Sequence, residues 1–176
     1  MSFLYFLVTS SKAYADKLGV YKEYFVNNGG FTSAFLIALG VAFAVALIYY
    51  VACRMSFSWA RMSTWVVTLF VAGAISFGVT GFATGISAKK GALPQTVERM
   101  YKKKVSVPGA DKTVLDKAKQ DIKREQNKGM FGCNPVNRLC WTNFVLTIIF
   151  FYLFSLLFNG FSGHGVNIPH RGVFRF

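Results

Sequence analysis

Acid is scarce in this chain: seven Asp or Glu stand against twenty Lys or Arg among 176 residues. No two of those acids form a convincing proton-transfer pair of the kind general acid–base chemistry needs. Only three cysteines occur, too few for a disulfide scaffold. The two histidines, His164 and His170, lie six positions apart in a Gly-rich tail, a poor spacing for a metal set. No phosphate-cradling loop of the Walker type occurs, and no Ser or Cys nucleophile sits beside a plausible base. These absences argue against an enzyme, and we expect no catalytic, cofactor-binding or metal site. Asp, Glu, Lys, Arg and His are also missing from residues 33–53, 62–86 and 141–160. Carriers and pumps place ionisable groups inside such runs, so transport by this chain alone is disfavoured.

Those three uncharged runs are what the chain has in abundance. Each is about the length that crosses a ~30 Å hydrocarbon layer as a helix. The remaining pieces are too small to bury a substantial core alone. We therefore expect an all-α, polytopic membrane protein with three transmembrane helices, an N-terminal interfacial helix and one helix in a basic loop. The expected divisions are an interfacial amphipathic segment at 1–32, a helical hairpin at 33–86, a basic loop at 87–140, a third span at 141–160 and a tail at 161–176. The apolar stretch near the N-terminus is short and has no preceding Lys or Arg, so it is read as retained rather than as a cleaved leader.

Charge orients the spans. Residues 87–140 carry thirteen Lys or Arg against five acids, and the N-terminal segment adds Lys12, Lys17 and Lys22. With three spans these two pieces share one face, while Arg54, Arg61, Arg171 and Arg175 fall on the other. The positive-inside rule then puts the N-terminus in the cytoplasm and the C-terminus outside. A bacterial inner membrane fits best, and an organellar inner membrane is compatible.

Small residues suggest how the spans meet. Ala38, Ala42 and Ala46, preceded by Ala34, recur every fourth position. Ala74, Gly78, Gly81 and Gly85 recur at four, three and four. Such ladders let helix backbones approach closely in lipid, and the two faces are expected to pack on each other rather than on another subunit. The third run, rich in Phe, is read as bulky and lipid-facing. Trp59, Trp65 and Trp141 mark expected span ends, where indole prefers the interface. Thr32 or Ser33 is the expected cap of the first span. Thr64, Thr68, Ser76, Thr80 and Thr84 could line a pore, but hydroxyls in spans usually bond back to their own helix.

Outside the spans, Tyr14, Leu18, Tyr21 and Phe25 share a helical face that either packs back on the spans or lies flat against a partner. The sequence 27–30, Asn-Asn-Gly-Gly, ends that helix. Residues 88–104 read as irregular, broken by Pro94. Asp111 then caps a helix over about 112–128 whose narrow apolar stripe, Val114, Leu115, Ala118 and Ile122, implies one-sided docking. Cys133 and Cys140 bracket a turn-forming stretch, and a reducing compartment favours thiols there over a bridge. Cys53 is read as an apolar filler.

Three classes of partner suit the basic loop. Anionic lipid headgroups come first, at roughly 1 kcal/mol per cation near the surface. Other subunits of a complex follow. Nucleic acid is disfavoured, since no recognised fold or aromatic interleaving accompanies the charge. The expected docking residues are Lys102, Lys103, Lys104, Lys117 and Arg124 in the loop, with Arg171, Phe174, Arg175 and Phe176 in the tail. The expected role is a non-enzymatic membrane subunit that anchors or scaffolds a larger envelope-spanning or secretion-type assembly. A small oligomeric pore and an accessory subunit of a respiratory-type complex are the alternatives.

Overall fold

The computed structural model describes residues 5–9, 18–55, 61–84, 92–107, 111–127 and 134–158. They form helices α1 (Phe6–Thr9), α2 (Val20–Lys22) with a π-helical continuation (Glu23–Asn27), α3 (Gly30–Met55), α4 (Met62–Thr84), α5 (Ala92–Val105), α6 (Lys112–Asn127) and α7 (Asn134–Phe158). Among the described residues there is no strand. Residues Gly30–Met55, Met62–Thr84 and Pro135–Phe158 are long and apolar enough to cross a membrane. At 1.5 Å per residue they extend about 34 to 39 Å, enough for the hydrocarbon layer.

The described residues fall into two compact units, Met1–Phe35 with Gly78–Thr142, and Leu36–Phe77 with Asn143–Phe176. In the first, Gly19 and Gly29 take left-handed φ values of 67° and 69°. Gly takes that conformation without the Cβ strain other residues meet, so Gly19 turns the chain into α2 and Gly29 separates the π-helical stretch from α3. Gly19 thus interrupts the long N-terminal stripe expected from Tyr14 to Phe25; Tyr14 itself lies outside the described residues. After Gly29 the chain enters α3 at once: the Ser33 amide donates to the Gly29 carbonyl at 2.9 Å. The span therefore begins at Gly30, and Thr32 and Ser33 are exposed residues of its first turn, not its cap. Gly30 is needed for room. A Cβ there would stand 2.9 Å from the Tyr24 carbonyl oxygen and 3.1 Å from the Phe25 Cα.

That close approach lets aromatic rings meet. Phe31, in the first turn of α3, stacks on Tyr5 at 4.9 Å between centroids and on Phe25 at 5.0 Å. Offset stacking of this kind adds about 0.5–1.5 kcal/mol per pair beyond burial. Tyr21 and Tyr24 pack on Phe25, and Leu18 and Val20 are buried as well. The N-terminal segment therefore packs back on the start of a span.

The loop differs from the sequence reading, which placed one helix there. Among its described residues α5 precedes α6, because Pro94 lies in the first turn of α5, where amides have no intrahelical acceptor and a missing N–H costs nothing. The stretch read as a turn after Cys133 is likewise helical. It forms the start of α7, with Pro135 as its second residue.

In the second unit, Ala42 and Ala46 of α3 are buried against Trp65, Leu69 and Ala72 of α4 and Phe151 of α7. Small side chains on one helix receive bulky ones from two others. Gly73 of α4 makes the closest approach: a Cβ there would lie 2.8 and 2.9 Å from ring carbons of Phe144.

Candidate functional site

Two arrangements in the fold are candidates for function: the buried seam of the long helices and the basic pair α5–α6.

On the seam, the packing faces are more polar than the sequence reading allowed. The buried positions of α7 include Asn143, Thr147, Phe151 and Ser155, spaced every four residues. Those of α4 include Trp65, Leu69, Ala72, Gly73, Ser76, Thr80, Gly81 and Thr84. Trp65 is thus not a lipid-interface anchor. It is buried, its indole N–H donates to the Ser155 hydroxyl at 3.2 Å, and its ring packs on Phe151 and Tyr152. Trp141 is exposed, and Trp59 lies outside the described residues.

The small-residue ladders divide. Ala38, Ala42 and Ala46 are fully buried. On α4, Gly81 is buried, but Ala74 and Gly78 face outward, and a Cβ on Gly78 would meet nothing within 4 Å. Gly85 lies outside the described residues. Within this chain the buried face of α4 is therefore set by Trp65, Gly73 and a row of hydroxyls. Those hydroxyls largely serve their own helices: Thr68 donates to the Thr64 carbonyl at 2.8 Å, Thr84 to Thr80 and Gly81, each at 3.0 Å, and Thr147 to Asn143 at 2.7 Å. Cys53 is a buried free thiol, as expected of a filler.

The basic pair is built from local signals. Asp111 caps α6: its carboxylate accepts from the amides of Thr113 and Val114 at 3.1 and 3.4 Å and from the Thr113 hydroxyl at 2.6 Å. Those donors hold its carboxyl below the usual carboxylate range. The apolar stripe of α6 turns inward, with Ile122 buried, Leu115 and Ala118 half-buried and Val114 exposed. The docking partner implied by the stripe is α5, with which α6 is in contact. In turn α5 buries Leu93, Thr96 and Val97 and contacts α2 and the π-helical stretch.

Polar bonds fix the register of the pair. Glu98 of α5 accepts from Lys119 at 2.9 Å and Lys123 at 3.1 Å. Tyr101 donates to the Asp116 carboxylate, and the Lys119 ammonium lies 4.1 Å from the Tyr101 ring centroid. The Asp116 bond also pushes the Tyr101 phenol up. Hydrogen bonds from the two lysines pull the Glu98 carboxyl below its ordinary range. A depressed carboxyl contributes stability above its unfolded pKa of about 4.3 and loses it as pH falls through the lower folded value. The α5–α6 contact is therefore expected to hold at neutral pH and loosen below about pH 4. Because Glu98 is well exposed, the whole effect is about 1 kcal/mol or less. Hydrogen exchange of α6 amides, native against Glu98→Gln, measures it; the variant should shrink the acid-dependent step and leave the part that comes from the Asp111 cap.

Three acids of the pair are committed, Glu98 to two lysines, Asp116 to Tyr101 and Asp111 to the cap, while Asp121 is exposed on α6. The outer faces carry the surplus. Arg99, Lys102 and Lys103 are exposed on α5 at i, i+3 and i+4, and Lys117 and Arg124 are exposed on α6 with Thr113 and Gln120. Lys104 is half-buried. The predicted tail residues Arg171, Phe174, Arg175 and Phe176 lie outside the described residues, as does Cys133. Among the described residues no cluster of three His, Cys, Asp or Glu is placed to hold a metal. Sequence reasoning missed Glu98 as the clasp of the pair and Asn143 and Ser155 on the α7 seam. The four-residue spacing of Asn143, Thr147 and Ser155 was the available signal.

An all-helical chain with three helices long and apolar enough to span a membrane has the architecture of a multi-pass membrane protein. Comparison with protein-family models, with curated proteins and with solved structures gives no match.

Proposed function

We propose that the protein is a non-enzymatic integral membrane subunit that anchors a larger membrane assembly. Its N-terminus and α5–α6 would be cytoplasmic and its tail outside, in a bacterial inner membrane; an organellar inner membrane fits the same pattern. The observation that carries the reading is outward apolar surface. At most 33% of the most apolar stretch of any long helix is buried inside the chain. Leu36, Phe43, Ile48, Val67, Phe82 and Leu157 all point away from it. Lipid and neighbouring spans are the surroundings that such surface tolerates. Beyond the spans, the polar face of α6 at Thr113, Lys117, Gln120 and Arg124 and the tail at 161–176 would dock other subunits.

The rival reading, an oligomeric pore, draws less support, because Thr68 and Thr84 satisfy their own helices and Ser76 and Thr80 are buried within the chain. Crosslinking and mass spectrometry on native membranes tests the anchor. Lysines 102–104 and 112–128 are expected to link to a second protein that co-purifies stoichiometrically in mild detergent. Links confined to this chain, together with ion conductance of the purified protein in liposomes, would replace the anchor by the pore.

A further inference from the structure

We propose that Arg99, Lys102 and Lys103 of α5 form a binding site for anionic phospholipid headgroups. The inference rests on reading the chain as bilayer-spanning, and not on its having protein partners.

The three side chains occupy one exposed face of α5, opposite the buried Leu93 and Val97. Spacings of three and four bring them together as neighbours on one helix surface. The carboxylate nearest in sequence, Glu98, is engaged by Lys119 and Lys123 and does not neutralise them. Among the described residues no acid forms an ion pair with any of the three. Three convergent cations without an internal counter-ion need an external anion, and Arg with two Lys suits the oxygens of a phosphodiester.

Position selects lipid as the source of that anion. Helix α5 contacts the π-helical stretch, which ends at Asn27, and α3 starts at Gly30. Phe25 of that stretch stacks on Phe31 of α3. The basic face therefore belongs to a body joined to the start of a span by two residues and a ring stack. Surface charge on an anionic leaflet acts over roughly one Debye length, about 8–10 Å, and a body tethered this closely to a span meets that field before it meets a soluble acid. A soluble acidic protein has no comparable guarantee of proximity.

Native mass spectrometry of the full chain in mild detergent tests this. Phosphatidylglycerol and phosphatidylcholine of identical acyl chains are added in turn. The native protein is expected to retain the anionic lipid about tenfold more than the zwitterionic one. Arg99→Gln with Lys102→Gln and Lys103→Gln should erase that preference, each lost charge weakening retention up to about fivefold. Arg99→Lys, which keeps the charge, should restore most of it in an otherwise native chain. All three side chains are exposed, so helix content by circular dichroism should not change; Lys103→Gln alone gives the same direction at smaller amplitude. Arg54→Gln with Arg61→Gln removes two charges elsewhere and should leave retention as in the native protein.

Equal retention of both lipids, or an unchanged preference in the triple variant, overturns the site. So does an equal loss in the Arg54/Arg61 variant, which would mean net charge alone. Displacement of the lipid by millimolar inorganic phosphate would identify a free-phosphate site instead and also overturn the proposal. Co-purification, and crosslinking through the lysines of 112–128, involve none of these three side chains, so failure here leaves the anchor reading standing.

Discussion

Gly73→Val is expected to destabilise the protein by roughly 1–3 kcal/mol, the usual penalty for adding bulk to a filled contact. The reason is local. The Cβ alone would stand 2.8 Å from a ring carbon of Phe144, and α4 is helical on both sides, so the backbone has little freedom to withdraw. Phe144 must leave its position instead. Phe144→Ala makes room, so Gly73→Val should cost much less in that background, giving a coupling energy between about 0.5 and 3 kcal/mol. Gly78→Ala supplies the contrast. Nothing lies within 4 Å of its Cβ, and replacing a mid-helix Gly should be neutral or stabilise by up to about 1 kcal/mol. Equilibrium unfolding in mixed micelles measures all four variants. A larger loss at Gly78 than at Gly73 would show that the outward small face, not the Phe144 contact, is the tighter junction.

The second large effect is expected at Trp65. Trp65→Ala empties the space between Phe151 and Tyr152 and should cost about 3–5 kcal/mol. Ser155→Ala removes only the acceptor of the indole hydrogen bond. Within a membrane such bonds average about 0.6 kcal/mol with a maximum near 1.7, because the separated helices also find partners. The ratio of the two losses separates packing from hydrogen bonding. If Ser155→Ala proved as damaging as Trp65→Ala, the seam would depend on polar contacts and the contribution assigned to ring packing would be wrong.

The spans were legible in the sequence because charge is costly in hydrocarbon, so a run of about twenty uncharged, apolar residues marks a segment suited to lipid. Their packing faces were not. A helix that is apolar all round carries no stripe from which to read its inward side. On α4 both the Ala74–Gly78 row and the Trp65–Gly73–Ser76 row repeat at helical spacing, and only the second is buried in the chain. Bulk decided, since Phe144 needed Gly73. In the loop the reverse held. The stripe ending at Ile122 and the cap at Asp111 marked α6 plainly, whereas α5 was hidden by treating Pro94 as a breaker when it stands in the first turn. The docking residues Lys102, Lys103, Lys117 and Arg124 do lie at exposed positions. Sequence could name their charge but not that Glu98 is tied to Lys119 and Lys123, since that pairing joins residues more than twenty positions apart.

The threonine bonds bear on the order of biosynthetic events. Thr68, Thr84, Thr142 and Thr147 each donate to a carbonyl three or four residues earlier on the same helix. Such bonds exist as soon as the helix does and ask nothing of a neighbour. Each segment can thus leave the translocon with these hydroxyls already satisfied, diffuse in the lipid, and find its companions later. The Trp65–Ser155 link can form only at that final step.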